Sequence, residues 1–224
     1  MATALSSWEV EILPDIPNVP RPALENAVRN ACIEFCERTL LWTEDLTRIT
    51  VEADTREYSL TEPSGATIIL VDDVKYKQNG ADDSQFVTLD PVSENQRNLQ
   101  DSGSWKYRES TSPSGYYALP DNPTEILLYN IPTVASTSGL LVKVCLRPAR
   151  DCTTVQDFIY KSHFKTIGLG TKADLFARKG QKWFDAKTAL GFEARFNNAC
   201  DNAMLLKVTG GTKRETRVQM REFI

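Results

Sequence analysis

The apolar positions change their period twice along the chain. From Pro22 they recur at steps of three and four residues, which predicts a helix with one apolar stripe. The stripe holds Leu24, Ala27, Val28, Ala31, Phe35 and Trp42. From about residue 47 the period shortens toward two and turn residues multiply, which predicts strands. After Pro148 the helical period returns, so we expect helix, β-rich segment, helix and helix in that order.

The N-terminal region is rich in proline and precedes this first helix. Residues 8–22 hold four prolines, which remove backbone donors and favour extended backbone before them. We therefore expect an extended arm there, with no helix. On the helix itself, Ile33 and Leu40 fall opposite the main stripe at ~100° per residue. This second apolar face is covered either by the same chain or by a neighbouring subunit, and Ile33 and Leu40 are the candidate subunit-interface residues.

The middle third predicts nine strands separated by Gly, Pro, Asn and Asp. They cover residues 49–51, 57–60, 67–71, 74–78, 85–89, 105–108, 116–119, 125–129 and 140–146. Asn79-Gly80 lies between two of them and is typical of a tight hairpin, because both residues accept a positive φ. No helical crossovers separate the strands, so the sheets are expected to be antiparallel.

The C-terminal helices have start and stop signals of their own. Thr153-x-x-Gln156 resembles a capping box, Gly180 is expected to end the first of these helices, and Asp185 is a good N-cap for the last. Gly168 and Gly170 cost helix stability, which indicates close approach to another backbone.

These elements predict an α+β protein: a small helical bundle, made of the N-terminal helix and two C-terminal helices, with a β-rich antiparallel insertion and an extended C-terminal arm. We expect an N-terminal arm and first helix over 1–46 and the insertion over 47–150. The completing helices are expected over 151–211, and a docking arm over 212–224.

Composition supports a folded chain with unlike ends. The 224 residues hold 26 Lys and Arg, 30 Asp and Glu and 41% apolar residues, which excludes wholesale disorder, a collagen fibre and a coiled-coil rod. Residues 1–150 hold 13 basic and 22 acidic groups, whereas the remainder holds 13 and 8. This asymmetry suits stacking, or contact with two different partners.

No membrane segment or disulfide framework is predicted. The longest aliphatic run, residues 68–71, is far shorter than the ~20 residues a spanning helix needs. The first residues lack a secretory signal, so the protein is expected to stay in the cytoplasm where it is made. Five cysteines, an odd number without a Cys-x-x-Cys pair, are expected to be reduced and buried.

Candidate chemistry is sparse. His163 is the single histidine, and no spacing supplies a nucleophile and an orienting acid for it. Cys32 and Cys36 make only two metal ligands of the four that zinc needs. Asp72-Asp73 and Asp82-Asp83 lack EF-hand spacing and are expected to be solvated turn residues. We therefore predict no catalytic residue, no metal and no cofactor.

Two other motifs favour structure over ligand binding. Gly168-Leu169-Gly170-Thr171-Lys172 and Gly210-Gly211-Thr212-Lys213 resemble phosphate loops but have neither the spacing nor the strand-to-helix context. A cluster of Trp105, Tyr107, Tyr116 and Tyr117 leaves a carbohydrate-binding module as an alternative. Alternating aromatics are first of all sheet formers.

The C-terminal arm mixes basic and apolar side chains and is the predicted docking element. Its members are Lys213, Arg214, Arg217, Val218, Met220, Arg221, Phe223 and Ile224. Four cations offset by Glu215 and Glu222 are a weak footprint for nucleic acid. The apolar side chains require pockets, so docking to protein is favoured.

Several strings resemble the head-to-tail adaptor (connector) proteins of tailed bacteriophages. The first is Pro20-Arg21-Pro22-Ala23-Leu24, followed by Ala31-Cys32-Ile33-Glu34-Phe35-Cys36-Glu37-Arg38-Thr39-Leu40-Leu41-Trp42 and Glu57-Tyr58-Ser59-Leu60. Residues 126–132, 141–151 and 157–160 are similar to later landmarks of that family, in the same order. The likeness covers nearly the whole chain.

The resemblance implies a non-enzymatic virion protein at the head-tail junction, present in the host cytoplasm during assembly. It implies a ring beneath the portal protein, usually of twelve copies, which joins the capsid to a downstream tail or nozzle protein and lets double-stranded DNA pass through without sequence-specific binding. Residues 212–224 would reach into the portal. This arm has fewer basic residues than is common in the family, and Phe184-Asp185 follows Trp183 where Ser or Asn is commoner. Another tail or baseplate subunit is the alternative.

Overall fold

The computed structural model describes residues 2–92, 107–119 and 121–208. Its contacts divide the chain into two units, one of Thr3–Leu41 with the described part of Gln156–Ile224, the other of Trp42–Val155. We call them the helical unit and the β unit. The mixed α+β class is confirmed, with four α-helices among the described residues and several antiparallel sheets. The β unit covers nearly the range predicted for the insertion, 47–150.

The helical unit begins with structure where an extended arm was expected. It contains a 3₁₀ turn (Leu5–Trp8) followed by helices α1 (Glu9–Ile12), α2 (Arg21–Thr39), α3 (Asp157–Ala177) and α4 (Ala186–Val208). The prediction that no helix forms over residues 8–22 was wrong. Leu5, Trp8, Ile12 and Ile16 are buried at three- and four-residue spacing, and the first proline, Pro14, comes only after α1.

Helix α2 follows its predicted pattern closely. Pro22 lies in its first turn, where the missing N–H costs nothing, and Leu24, Ala27, Val28, Ala31 and Phe35 are all buried. The helix ends at Thr39, and its C-cap residue Leu40 has a φ of 52° and donates its backbone N–H to the Cys36 carbonyl. Trp42, expected on the same stripe, therefore lies beyond the helix.

Two glycines allow close packing onto α3. A Cβ on Gly170 would lie 2.9 Å from Cε2 of Phe196 and 3.1 Å from Cβ of Ala31, and one on Gly168 would lie 2.7 Å from Cγ of Glu11. Close packing at both glycines is confirmed, but the prediction that another backbone approaches them was wrong, because the neighbouring atoms belong to side chains. Alanine at either position would require these neighbours to shift.

The ends of α3 and α4 differ in how well they were predicted. The expected capping box of Thr153 and Gln156 is wrong, because Thr154–Gln156 is a strand and α3 begins at Asp157 without a side-chain cap. The expected N-cap of α4 is confirmed. Oδ1 of Asp185 accepts from the backbone N–H of Lys187 at 3.0 Å and of Thr188 at 3.1 Å.

The described residues contain thirteen strands, nine of which form two larger sheets in the β unit. In chain order they are β1 (Ala2–Ala4), β2 (Thr43–Asp45), β3 (Ile49–Val51), β4 (Glu57–Ser59), β5 (Ala66–Tyr76), β6 (Val87–Thr88), β7 (Asp90–Pro91), β8 (Glu109–Ser110), β9 (Gly115–Leu119), β10 (Asn122–Tyr129), β11 (Ile131–Pro132), β12 (Ser136–Pro148) and β13 (Thr154–Gln156). One sheet has the order β2-β12-β5-β6, with β3 also paired to β12, and the other has the order β4-β10-β9-β7. The long pairs are antiparallel, as predicted, with Val142 opposite Val74. The two-residue pairs β7–β9 and β8–β11 are parallel, which was not predicted.

Strand β5 joins two predicted strands into one. Asp72-Asp73, expected in a turn, lies inside it, because Lys143 pairs with Asp73 and Val144 with Val71. Asp72 is thus the extra residue of a β-bulge, which lets the strand continue through a polar interruption. The predicted strand over 105–108 lies partly outside the described residues.

The predicted hairpin at Asn79-Gly80 joins β5 and β6, which pair antiparallel. Gly80 has φ of 79°, but Asn79 does not have a positive φ. The connection is longer than a two-residue turn and includes a 3₁₀ turn at Asp83–Gln85.

Candidate docking sites

The two candidate subunit-interface residues lie at different depths. Ile33 is only 7% exposed in the single chain, so little of its side chain remains for a neighbour. Leu40 is half-buried and follows the last residue of α2. The predicted docking arm, 212–224, lies outside the described residues.

The exposed apolar side chains at the end of α4 are a second candidate surface. Met204 is 47% exposed, Leu205 and Leu206 are each 60% exposed, and Val208 is 75% exposed. Nζ of Lys207 donates to the Leu40 carbonyl at 2.6 Å, which holds the last turn of α4 against the end of α2. The last described turn of the helical unit therefore presents apolar surface to solvent.

A cavity of about 540 Å³ lies beside Trp183 in the helical unit. Its lining includes Asp15, Ile16, Pro17, Phe176 and Trp183. The indole N–H of Trp183 is buried and has no acceptor among the described residues, and an unmet buried donor of this kind costs about 1–3 kcal/mol. Sequence reasoning missed this cavity, because its walls come from distant parts of the chain.

A buried lysine joins α3 to the segment around α1. Nζ of Lys172 lies 2.9 Å from Oε1 of Glu11 and 2.8 Å from Oδ2 of Asp15. Burial disfavours the charged amine, but the hydrogen bonds to both carboxylates outweigh it and raise the pKa of Lys172. This lysine belongs to the string that resembles a phosphate loop. It lies inside a helix and is already paired, so it does not act as a phosphate ligand.

In the β unit, an ion-pair cluster fixes the loop between β5 and β6. Asp83 accepts from Nη1 and Nη2 of Arg48 at 2.9 and 2.7 Å and from Nζ of Lys77 at 2.9 Å. The hydrogen bond from the Arg48 guanidinium makes the largest contribution and that from the Lys77 amine the next, and they lower the pKa of Asp83 to about 2. Asp82-Asp83 are thus turn residues, as predicted, and Lys77 also borders a cavity of about 470 Å³ with Tyr76 and Gln78.

We expect Arg48→Ala to raise the pKa of Asp83 from about 2 toward its ordinary value of 3.8. The folded-state pKa is depressed, so this cluster stabilises the protein above pH 3.8 and loses its contribution as pH falls toward 2. A carboxyl ¹³C NMR titration measures the midpoint of the Asp83 titration in the unchanged chain and in the variant. Arg21→Ala is the matched surface control and is expected to leave the titration midpoint of Asp83 unchanged. An unchanged midpoint in Arg48→Ala would show that Arg48 does not hold Asp83.

His163 occupies a structural position. It packs against Phe35 at 4.6 Å and Phe158 at 6.4 Å between ring centroids, and burial lowers its pKa. Its backbone, with φ of −126° and ψ of 20°, interrupts the helical geometry of α3. The residue therefore sits at a kink between aromatic rings.

All five cysteines are free and buried, as predicted. Burial raises the pKa of Cys36 strongly and that of Cys200 to about 11. The described residues hold no group of three or more His, Cys, Asp or Glu able to bind a metal ion.

The aromatic cluster is split by the fold. Tyr107 is 81% exposed, whereas Tyr116 is 5% exposed, and Tyr117 follows Tyr116 on β9 and points to the opposite face. Trp105 lies outside the described residues. Tyr116 is therefore a core residue and not part of a flat stacking surface.

Over the described ranges, no helix is long and apolar enough to cross a membrane. No family model matches the chain, and no curated protein matches it. The fold and the surfaces above are therefore the basis for a functional proposal, together with the resemblance of the sequence.

Proposed function

We propose that this chain is a head-to-tail adaptor of a tailed bacteriophage, a structural protein that forms a ring beneath the portal and joins capsid to tail. The observation that carries the proposal is the chain order of the two units. The helical unit is assembled from both ends of the chain, and the β unit is inserted between them. This is the order expected for an adaptor with helices in its ring body and a β-rich insertion.

Three of the strings that carry the resemblance lie at or near the junctions between the two units, and residues 57–60 and 126–132 lie inside the β unit. Residues 20–42 run from the start of α2 past its left-handed end at Leu40, and residues 157–160 begin α3. Residues 141–151 cover the end of β12, close to the second junction between the units. The resemblance therefore follows the architecture of the chain and not one local segment.

Ring formation imposes two requirements on each subunit. Identical subunits close a ring through unlike lateral faces, and stacking between portal and tail needs unlike ends. Residues 1–150 hold 13 basic and 22 acidic groups and the remainder holds 13 and 8, an asymmetry that suits contact with two different partners. We assign the ring body to α2, α3 and α4, the portal contact to the arm at 212–224, and the channel to DNA that passes without sequence-specific binding.

Deleting residues 212–224 is expected to abolish binding to the portal protein of the same virus while the chain still folds. The buried core residues of the described chain all precede residue 204, so the deletion removes none of them, and we expect it to remove docking contacts alone. Negative-stain electron microscopy of the protein mixed with portal rings measures occupancy, and circular dichroism checks the fold. Full occupancy by the truncated chain would contradict the assignment of the arm.

Two full-length variants separate the contributions of charge and apolar contact. One replaces Met220, Phe223 and Ile224 by Ser, and its matched control replaces Lys213, Arg214 and Arg217 by Gln. The apolar variant is expected to lose most of the occupancy, because apolar anchors in pockets dominate protein interfaces. A greater loss in the charge variant would favour binding to an acidic partner or to DNA.

A further inference from the structure

The loop between β5 and β6 holds the one asparagine of the chain that precedes a glycine, Asn79. An asparagine side chain loses its amide group when the backbone nitrogen of the next residue attacks its carbonyl carbon. Glycine hinders that attack least, because it has no Cβ and its backbone adopts the widest range of conformations. Asn79-Gly80 therefore has the residue types for spontaneous deamidation, a reaction that needs no enzyme.

The fold leaves both residues accessible. Asn79 and Gly80 are exposed, and neither the Asn79 side chain nor the Gly80 N–H makes a hydrogen bond to the described part of the chain. A Cβ on Gly80 would meet nothing within 4 Å, so the loop is not crowded at this residue. The attacking nitrogen and the amide that it attacks are both in contact with water.

The turn that contains this pair is weakly held. The Ala81 N–H donates to the Gln78 carbonyl at 3.1 Å, and Gly80 has φ of 79°, as in the third position of a type II turn. Asn79 must rotate about its backbone to bring its side-chain carbonyl to the Gly80 nitrogen. Because one exposed hydrogen bond contributes little net stability, the fold opposes this rotation only weakly.

Other asparagines of the described chain are in less reactive settings. Asn122 precedes a proline, which has no N–H, and the Asn130 side chain donates to Oγ of Ser114 at 3.0 Å. Five lie inside α2 and α4, where helical hydrogen bonds hold the next backbone nitrogen: Asn26, Asn30, Asn197, Asn198 and Asn202. Asn18 precedes Val19, whose branched side chain hinders attack, so Asn18 serves as an internal control.

We propose that Asn79 deamidates spontaneously in the folded chain. Hydroxide removes the Gly80 amide proton, the nitrogen forms a bond to Cγ of Asn79, the Cγ–Nδ2 bond breaks, and ammonia leaves with a proton from water. Water then opens the five-membered succinimide at either carbonyl, which gives an aspartyl or isoaspartyl residue at position 79. The product adds a negative charge to the wall of the cavity of about 470 Å³, which Asn79 borders. The reaction is confined to the β unit and does not depend on the proposed function.

Peptide mapping by mass spectrometry, after incubation of the full chain at physiological temperature, measures the reaction. We expect the mass gain of an NH₂-to-OH exchange at Asn79 and not at Asn18, and a faster gain at mildly alkaline than at neutral pH. Gly80→Ala is expected to slow it at least about tenfold, which corresponds to about 1.4 kcal/mol of barrier. Gln78→Ala, at an exposed residue of the same turn, is the matched control and is expected to leave the rate unchanged.

Two further samples separate the effect of the fold from that of the sequence. The same chain unfolded in urea gives the rate without the turn, and we expect the folded chain to react within about tenfold of it. Asn79→Gln keeps the amide but would need a six-membered ring, so we expect the acidic species seen on anion exchange to disappear. Stronger protection by the fold, or equal rates for the unchanged chain and Gly80→Ala, would overturn the proposal. Circular dichroism checks that each variant folds.

Discussion

Replacing Phe196 by Ala is expected to lower the free energy of unfolding by about 3–5 kcal/mol, the usual cost of removing a buried phenyl ring. Phe196 is 2% exposed and packs on Gly170 of α3, so its loss leaves a cavity between α3 and α4. Urea denaturation followed by circular dichroism measures the change. Phe184→Ala is the control, since Phe184 is 40% exposed, and we expect it to cost less than about 1 kcal/mol.

Gly170→Ala extends this experiment into a double-mutant cycle. Alone, the new Cβ strikes the Phe196 ring and Ala31, a cost of about 1–3 kcal/mol that the better helix propensity of alanine partly offsets. In the Phe196→Ala background the ring is gone, so the same methyl group fills part of the cavity. We expect a favourable coupling of about 0.5–3 kcal/mol. Strictly additive effects would show that the two positions do not pack together in solution.

Lys172→Met is the second large effect that we expect. The side chain of Lys172 is 7% exposed, and its loss leaves Glu11 and Asp15 without their shared cation. Breaking a fully buried pair costs about 3–5 kcal/mol. Here the carboxylates are 29% and 50% exposed, so water solvates them after the change and we expect a smaller loss, about 2–3 kcal/mol.

The matched control is Lys182→Met, at an exposed lysine of the loop before α4. Its unfolding curve is expected to overlay that of the unchanged chain. The raised pKa of Lys172 means that its contribution is complete below 10.5 and is lost only as pH rises through the higher folded-state value. Equal stability of the two methionine variants at neutral pH would show that the buried cation does not hold α1 against α3.

Local signals in the sequence predicted local structure well. The stripe of α2 and the Asp185 cap depend on residues a few positions apart, and the structure confirms them. Helix α1 was not predicted because the prolines that begin at Pro14 favour extended backbone, whereas the spacing of Leu5, Trp8 and Ile12 is helical.

Features that depend on residues far apart along the chain could not be predicted from the sequence. The acids that hold Lys172 lie more than 150 residues away along the chain, and no local pattern connects them. The bulge at Asp72 is defined by register against β12, which the sequence of β5 alone does not contain. The cavity beside Trp183 likewise joins segments far apart in the chain. The docking roles assigned from the resemblance stay predictions for the experiments above.

The five buried thiols make the folded protein a convenient host for site-specific labels. Since the thiolate is the reactive form, burial and the raised pKa of Cys36 and Cys200 protect these side chains from alkylating reagents. A cysteine introduced on the surface is then the preferred point of attachment for a fluorophore or spin label, and the native cysteines need not be removed first.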